Sequence, residues 1–417
     1  MHPHSFADHE ERNGRQRIAL VIGTRPEAVK LAPVALALSR SSWADPVLIT
    51  TGQHSDVVPE TLSCFGLRPD IELTVRRGNG SVAELTAGLL SRLDSTLRAT
   101  PAQAVVVQGD TSSALAGAMA GFFAAVPVAH VEAGLRSGDP RSPFPEEAHR
   151  KMIAGITDVH LAPTRAARAN LLAEGVAAER IQVTGNTVID AVVEASRRPA
   201  ASGEPLLREI EQSGAPLVLV TAHRRENWGE PIRRVSGAVA DLGRRYPDIT
   251  FVVAAHMNPS VRATTEQSLR GIPNVRLTGP IPYGSFARIL ARSLLTITDS
   301  GGIQEEAAAF GVPVLVTRDN TERTEGIASG LARLVGTEES EIVTAVEKEF
   351  AREDAFPGNT IRTVVPTNPY GDGRAGERCA AACGRLLGIR PRRVLPHDAG
   401  DGDVQAPDPG TRKGTSQ

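Results

Sequence analysis

The sequence predicts an α/β protein made of two doubly wound, parallel-sheet domains in series, facing each other across a cleft. Three observations predict it. Short β-branched runs alternate with longer amphipathic runs, the rhythm of strand–helix–strand units. The rhythm stops at a polar, proline-punctuated stretch over 197–205 and then restarts. The conspicuous polar clusters fall directly after strand-like runs, and in open parallel sheets ligands bind outside the carboxyl ends of the strands. A chain of 417 residues is long enough for two domains of ordinary size.

In the first half, strands are expected at 18–22, 46–50, 104–108, 126–131, 159–162 and 181–183, with helices such as 28–39 and 82–99 between them. Residues 114–129 are apolar but rich in alanine and glycine and interrupted by Pro127. They read as a buried helix running into a strand, not as a membrane span. In the second half, strands are expected at 217–221, 250–254, 275–277, 294–298, 312–316 and 332–335, and helices at 231–245, 286–291 and 302–310. The expected division is a Rossmann-like domain over 17–190 and a second over 206–367, with a helix near 370–388 returning to the first. Residues 1–16 and 391–417 have little to bury and are expected to be disordered tails. The first of these tails has no apolar core and does not read as a signal peptide.

Composition narrows the function. Hydrophobic residues are 41% and charged residues 23%, a globular balance, while 4% aromatics leave the core to Val, Leu, Ile and Ala. A net charge of −2 with no long basic block argues against nucleic acid as the main partner. Cys64, Cys379 and Cys383 are too few for a disulfide framework and fit a reducing cytoplasm. The last two are four residues apart and read as small buried side chains rather than a metal or redox pair.

The most informative segment is Thr-Asp-Ser-Gly-Gly-Ile-Gln-Glu-Glu over 298–306. A β-rich run stops and a helical pattern starts at once, which leaves the first helical N–H groups unpaired above the strand end. Gly301 and Gly302 carry no side chain to keep a phosphate away, and Ser300 can cap the helix or donate to a phosphate oxygen. Glu305 and Glu306, expected in the first turn, can accept from a ribose diol. The segment reads as a site for a nucleotide diphosphate; the alternative is an ordinary capped helix. Arg25 and Lys30 follow the first strand, but without the glycine pattern of a dinucleotide fingerprint or a P-loop. Gln53 and His54 follow the second strand and Asp110 the third. Glu132 follows the fourth, with Glu146 further on. In the second half His223 and His256 follow the first two strands, and Arg323 lies beyond the fifth. Singly, each has a bland reading: Asp110 as a helix N-cap, Glu132 and Glu146 as partners of Arg136 or Arg150, His223 as a core histidine. Their convergence on one edge of both sheets favours a site, because structural ion pairs have no reason to collect there.

The motifs occur in a specific order. Gly-Thr-Arg-Pro-Glu at 23–27, Thr-Gly-Gln-His at 51–54, Gly-Asp-Thr at 109–111, His-Val-Glu-Ala-Gly-Leu-Arg at 130–136 and Pro-Glu-Glu at 145–147 come first. Thr-Gly-Asn-Thr-Val-Ile-Asp at 184–190, His-Arg-Arg-Glu-Asn at 223–227, the 298–306 segment, Arg-Asp-x-Thr-Glu-Arg at 318–323 and Asn-Pro-Tyr-Gly-Asp-Gly at 368–373 follow. From about 18 to about 387 this resembles the bacterial non-hydrolysing UDP-N-acetylglucosamine 2-epimerases. The resemblance implies a GT-B-like pair of domains, a cytoplasmic homodimer, a UDP-sugar as ligand, no metal and no cofactor, and a place in cell-envelope polysaccharide synthesis. It implies acid–base roles for Asp110, Glu132, Glu146 and His223. It implies substrate contacts from Arg25, Lys30, Phe286, Ser300, Gly301, Gly302, Glu306 and Arg323. In some relatives the region of Gln53, His54 and His256 holds a second substrate molecule. The chain departs from the pattern at Thr324, where proline is common, at Asp56, which replaces a longer polar residue, and at Ile281. Some members place a glutamine that contacts uracil at this last position, so base recognition shifts toward the backbone and Phe286.

The implied reaction eliminates UDP to a 2-acetamidoglucal and adds it back after protonation on the other face of carbon 2. Such a route needs positive charge and oriented N–H groups for the departing diphosphate and an acid or base on each face of carbon 2. It also needs closure against water. Asp110 and Glu132 stand equal as candidate bases. Other readings of the same residues are a hydrolysing epimerase, an epimerase of a related UDP-diacetamido sugar, a glycosyltransferase using the same diphosphate site, and a non-catalytic UDP-sugar sensor.

Overall fold

The structure is a computed structural model describing residues 14–75, 80–198, 205–222, 224, 227–256, 258–352, 368–390, 394 and 397. His223, most of the 197–205 stretch and nearly all of both expected tails lie outside the described residues.

Among the described residues, thirteen strands form two all-parallel sheets. The first contains β1 (Gln16–Ile22), β2 (Ala44–Thr50), β3 (Ile71–Glu72), β4 (Ala104–Gln108), β5 (Val128–Val131), β6 (Val159–Ala162) and β7 (Ile181–Val183) in the order 3-2-1-4-5-6-7. The second contains β8 (Leu217–Thr221), β9 (Thr250–Ala254), β10 (Val275–Thr278), β11 (Ser293–Thr298), β12 (Val314–Val316) and β13 (Ala332–Leu334) in the order 10-9-8-11-12-13. Each order reverses once, between β1 and β4 and between β8 and β11. These switch points are where a doubly wound sheet opens a crevice for ligand.

Each sheet is buried on both faces, as parallel sheets must be. In β1, Ile18, Leu20 and Ile22 pack against the helix Arg25–Arg40 and Ala19 and Val21 against the helices Val82–Ala99 and Ser112–Phe123. In β8 the same alternation puts Leu217 and Leu219 on one side and Val218 and Val220 on the other.

Two expected strands start late for one reason. The strands expected from 126 and 312 begin at Val128 and Val314. In both, the valine two residues earlier spends its N–H on the preceding helix, Val126 on the Gly121 carbonyl and Val312 on the Ala307 carbonyl. A proline without an N–H then separates it from the ladder. The two-residue β3 carries too little pattern to be expected from sequence.

The helix Ala375–Leu386 packs on Arg25–Arg40 in the first domain. Asp190 sets its start, accepting from the amides of Ala375 (3.1 Å) and Gly376 (2.8 Å). Burial raises the Asp190 carboxyl to about 7 despite these bonds. Arg378, 2% exposed, is held by Asp372 and donates to the Thr184 carbonyl. Asp190→Ala strands two helix-terminal amides, and urea unfolding is expected to show a loss of about 2 kcal/mol. An unchanged midpoint would show that the helix docks without this cap.

Candidate active site

The first switch point is built around a buried carboxylate. Glu27, in the first turn of Arg25–Arg40, is fully buried and accepts from the amides of Gly23 (2.9 Å) and Thr24 (2.6 Å). Its other oxygen accepts from the Thr111 hydroxyl at 2.6 Å. The turn after β1 is thereby tied to the turn after β4. Burial raises Glu27 to about 7, the hydrogen bonds from Thr111, Thr24 and Gly23 opposing this only in part. Arg25 projects from this turn, exposed, with its guanidinium 5.9 Å from the ring centroid of Tyr283 in the second domain.

Asp110 follows β4, in a turn held from several sides. Gly109, at φ +72°, donates its amide to the Val131 carbonyl at 3.1 Å. The Gly109 carbonyl accepts from His130 Nε2 and the Asp110 carbonyl from His149 Nδ1, each at 2.8 Å. Burial pushes the His130 ring down to about 4, the bond to the Gly109 carbonyl opposing this only in part. The Asp110 carboxylate is paired with Arg150 at 2.7 Å, and Arg150 also binds the wholly buried Glu147 at 2.8 Å. Asp110 is not the helix cap; the Thr111 side chain accepts the Ala114 amide instead.

Glu132 lies beside this turn, one of its carboxylate oxygens 3.9 Å from where a Cβ on Gly109 would stand. Its backbone is left-handed at φ +63°, which costs a non-glycine residue about 1–2 kcal/mol. The carboxylate binds Lys30 and the Gln108 amide group, not Arg136, which pairs with Glu174. Burial works against the charge on Lys30, but Glu132 and Glu305 outweigh it and raise its pKa. Glu146 begins the helix Glu146–Ile156, half-buried and without a hydrogen-bonded partner among the described residues. Its neighbour Glu147 takes the structural role, binding Arg150 and the Ser137 and Gly138 amides.

The second switch point faces the first. Asp299, fully buried at the end of β11, accepts from the Arg224 amide (3.0 Å) and the Asn227 side chain (2.8 Å), joining the loops after β8 and β11. Ser300 caps the helix Gly301–Ala308 in extended conformation, and its hydroxyl makes no capping hydrogen bond. A Cβ on Gly301 would stand 3.2 Å from Cζ of Arg323, so the guanidinium lies directly over the helix N-terminus. Arg323 Nε donates to Glu305 at 2.8 Å, and Glu305, against the burial of the group, holds the guanidinium well above its ordinary range, with Glu132 adding.

Glu305 and Glu306 lie in the second turn rather than the first, because Gly301 and Gly302 are themselves the first two helical residues. Glu306 accepts from the Tyr283 hydroxyl at 3.0 Å, and burial raises it to about 7. Phe286 stacks on Tyr283, centroids 6.2 Å apart, in the apolar seam that also holds Ile281.

The remaining expected residues lie toward the rim. Gln53 accepts from the Ser113 hydroxyl at 2.7 Å, and the exposed His54 follows it. His256 packs edge-on to Trp228 and accepts the Asn258 amide at 2.9 Å.

Sequence reasoning missed Glu27, Gln108, His149, Arg150 and Asn186 as supports. Two carried a readable signal. Thr-x-x-Glu at 24–27 is a capping-box spacing, and Asn186 stands where a helix N-cap belongs, accepting the Val188 amide at 3.0 Å. Arg150 was named only as a partner of Glu132 or Glu146; that it serves Asp110 and Glu147 instead is set by the fold.

Two facing parallel α/β domains, with anion-ready turns at both switch points, place the protein in the GT-B-like class. The sequence profile described as UDP-N-acetylglucosamine 2-epimerase matches residues 36–383. A probable UDP-N-acetylglucosamine 2-epimerase of Ralstonia nicotianae is 40% identical over 88% of this chain and 98% of its own. The UDP-N-acetylglucosamine 2-epimerase of Escherichia coli is 38% identical over 89% of this chain and 97% of its own. The crystal structure of the Neisseria meningitidis enzyme bound to UDP-GlcNAc superposes with a TM-score of 0.75 at 35% identity, covering 89% of this chain and 100% of that one. The chain belongs to the UDP-N-acetylglucosamine 2-epimerase family.

Replacing Arg150 with Met leaves Asp110 without its cation and removes one partner of the buried Glu147. Chemical denaturation is expected to show a loss of about 3 kcal/mol, the scale of removing one member of a buried ion pair. A loss below about 1 kcal/mol, the scale of a surface pair, would show that solvent already screens this one.

Proposed function

We propose that this protein is a cytoplasmic, non-hydrolysing UDP-N-acetylglucosamine 2-epimerase that interconverts UDP-N-acetylglucosamine and UDP-N-acetylmannosamine. The observation that carries it is the placing of Glu132, on a strained left-handed backbone, beside the Asp110 turn and within the electrostatic reach of Arg323 over the Ser300–Gly301–Gly302 helix start. One carboxylate thus sits close to an anion cradle and a second, Asp110, follows in the turn beside it, the parts an elimination–addition needs. Among the described residues no helix is long and apolar enough to cross a membrane.

In the forward direction the C1–O bond breaks and its electron pair leaves with UDP. Amides of Gly301 and Gly302, the Ser300 hydroxyl, Arg25 and Arg323 stabilise the growing charge on the diphosphate. The C2 proton passes to a carboxylate, Asp110 or Glu132, and the C–H electrons form the C1=C2 bond of the glucal. In the return, an acid on the opposite face protonates C2 and a diphosphate oxygen attacks C1. Glu146 and His223 complete the acid–base set, and Lys30 tunes Glu132. Glu306 receives the ribose hydroxyls, and Phe286 lies near the base.

The test is incubation of UDP-N-acetylglucosamine in deuterated water. Deuterium at carbon 2 together with UDP-N-acetylmannosamine is the expected result, and release of free N-acetylmannosamine with UDP would assign the hydrolysing reaction instead. Asp110→Asn and Glu132→Gln are each expected to lower turnover about 10²- to 10⁴-fold while still binding UDP.

The functional unit we propose is a homodimer. Phe122 and Phe123, 56% and 59% exposed, end the helix Ser112–Phe123, and Met152, 49% exposed, lies on the helix packed beside it. An exposed apolar group of this kind suits a subunit interface. Sedimentation equilibrium is expected to give twice the chain mass, and less for Phe123→Ser combined with Met152→Ser.

A further inference from the structure

Glu305 is the buried acidic residue beside the anion cradle to which the proposed reaction gives no task. It is 5% exposed, and both its oxygens are engaged. Oε1 accepts from Arg323 Nε at 2.8 Å, and Oε2 accepts from the Asn186 side chain, in the other domain, at 3.1 Å. Asn186 is itself fixed, its side-chain oxygen accepting from the Val188 amide and its backbone N–H donating to the Tyr370 carbonyl at 2.8 Å. The Arg323 backbone is held as well, its amide donating to the Thr321 hydroxyl at 3.1 Å.

Glu305 takes the Nε–H of the guanidinium, whose Cζ, Nε and Nη1 lie 3.2, 3.4 and 3.5 Å from the Cβ position of Gly301, so the group lies over the helix start while both terminal nitrogens are left without a bond to Glu305. A guanidinium is a rigid planar fork, so fixing Nε fixes the direction of both terminal nitrogens.

We propose that Glu305 is a positioning residue for diphosphate binding, which aims the terminal nitrogens of Arg323 at the phosphates received by Ser300, Gly301 and Gly302. This rests on the UDP-sugar reading of the site. Glu305 touches no reacting atom; it acts through Arg323, and Asn186 ties that aim to the first domain. A carboxylate so near a diphosphate also repels it. The orienting effect outweighs the repulsion here because an ungripped arginine must give up its rotamer freedom on binding and Arg323 already neutralises the charge.

The test is a double-mutant cycle on UDP affinity by titration calorimetry, with the parent protein, Glu305→Gln, Arg323→Gln and the double variant. A charge-assisted hydrogen bond is worth a factor of about 10–100, so Glu305→Gln is expected to weaken UDP binding about tenfold. In the Arg323→Gln background the same change should be nearly silent. On turnover the effect should fall on KM more than on kcat. Asn186→Ala should give a smaller loss in the same direction. Unchanged or tighter UDP binding by Glu305→Gln overturns the proposal, as does a loss of equal size in both backgrounds, which marks a structural role. Glu305→Asp, which keeps the charge, should lose less than Glu305→Gln; an equal or greater loss overturns it too. Parent protein that turns over while Glu305→Gln binds normally defeats this proposal alone, and parent protein that binds no UDP defeats it with the reading beneath it.

Discussion

The helix Thr187–Arg197 belongs to both domains at once, and the cleft depends on it. It ends the first sheet's chain of units, yet its Val188, Val192 and Ala195 lie in one apolar cluster with Tyr283, Phe286 and Leu290 of the second domain. Val29 and Ala32, from the helix that carries Arg25 and Lys30, join the same cluster. Burying these side chains together sets how the two switch points face each other, at roughly 25 cal/mol for each Å² of apolar surface removed from water. Tyr283 sits at the edge of this seam, packing on Phe65, approached by Arg25, and donating to Glu306. The apolar contact that joins the domains therefore runs directly into polar groups of the site.

The charges in the cleft follow a common plan. Each carboxylate expected to do chemistry or bind substrate, Glu146 apart, has a partner. Arg150 holds Asp110, Lys30 holds Glu132, and the Tyr283 hydroxyl holds Glu306. Other buried acids serve as ties: Glu27 joins the turns after β1 and β4, Asp299 the loops after β8 and β11, and Glu147 braces Arg150. Buried acids without such partners would take up protons or open the fold, because desolvation opposes their charge. Glu27 and Glu306, both raised to about 7, show how narrowly that balance is held.

Much of this was legible in the sequence. Strands β4, β6, β7, β8 and β9 fall on the expected residues, because a parallel strand buried on both faces is a continuous apolar run. A helix start at the glycines after β11 was readable, since an apolar run giving way to a helical pattern is a local property. The helix start was off by one residue: the helix begins at Gly301 and not at 302, and this carries Glu305 and Glu306 into the second turn. The late starts of β5 and β12 depend on which carbonyl captures a single N–H, something composition does not encode.

By itself, the sequence determined the class of fold, the order of the elements, the family and the identities of the residues that crowd the strand ends, because periodicity and motif order are carried along the chain. Pairing was decided only by the tertiary structure. That Glu132 meets Lys30 rather than Arg136, that Arg150 serves Asp110, and that Glu305 reaches Asn186 119 positions away are outcomes of packing two sheets and one shared helix. A side chain's partner is set by where its backbone is carried in three dimensions, and no spacing along the chain specifies that distance.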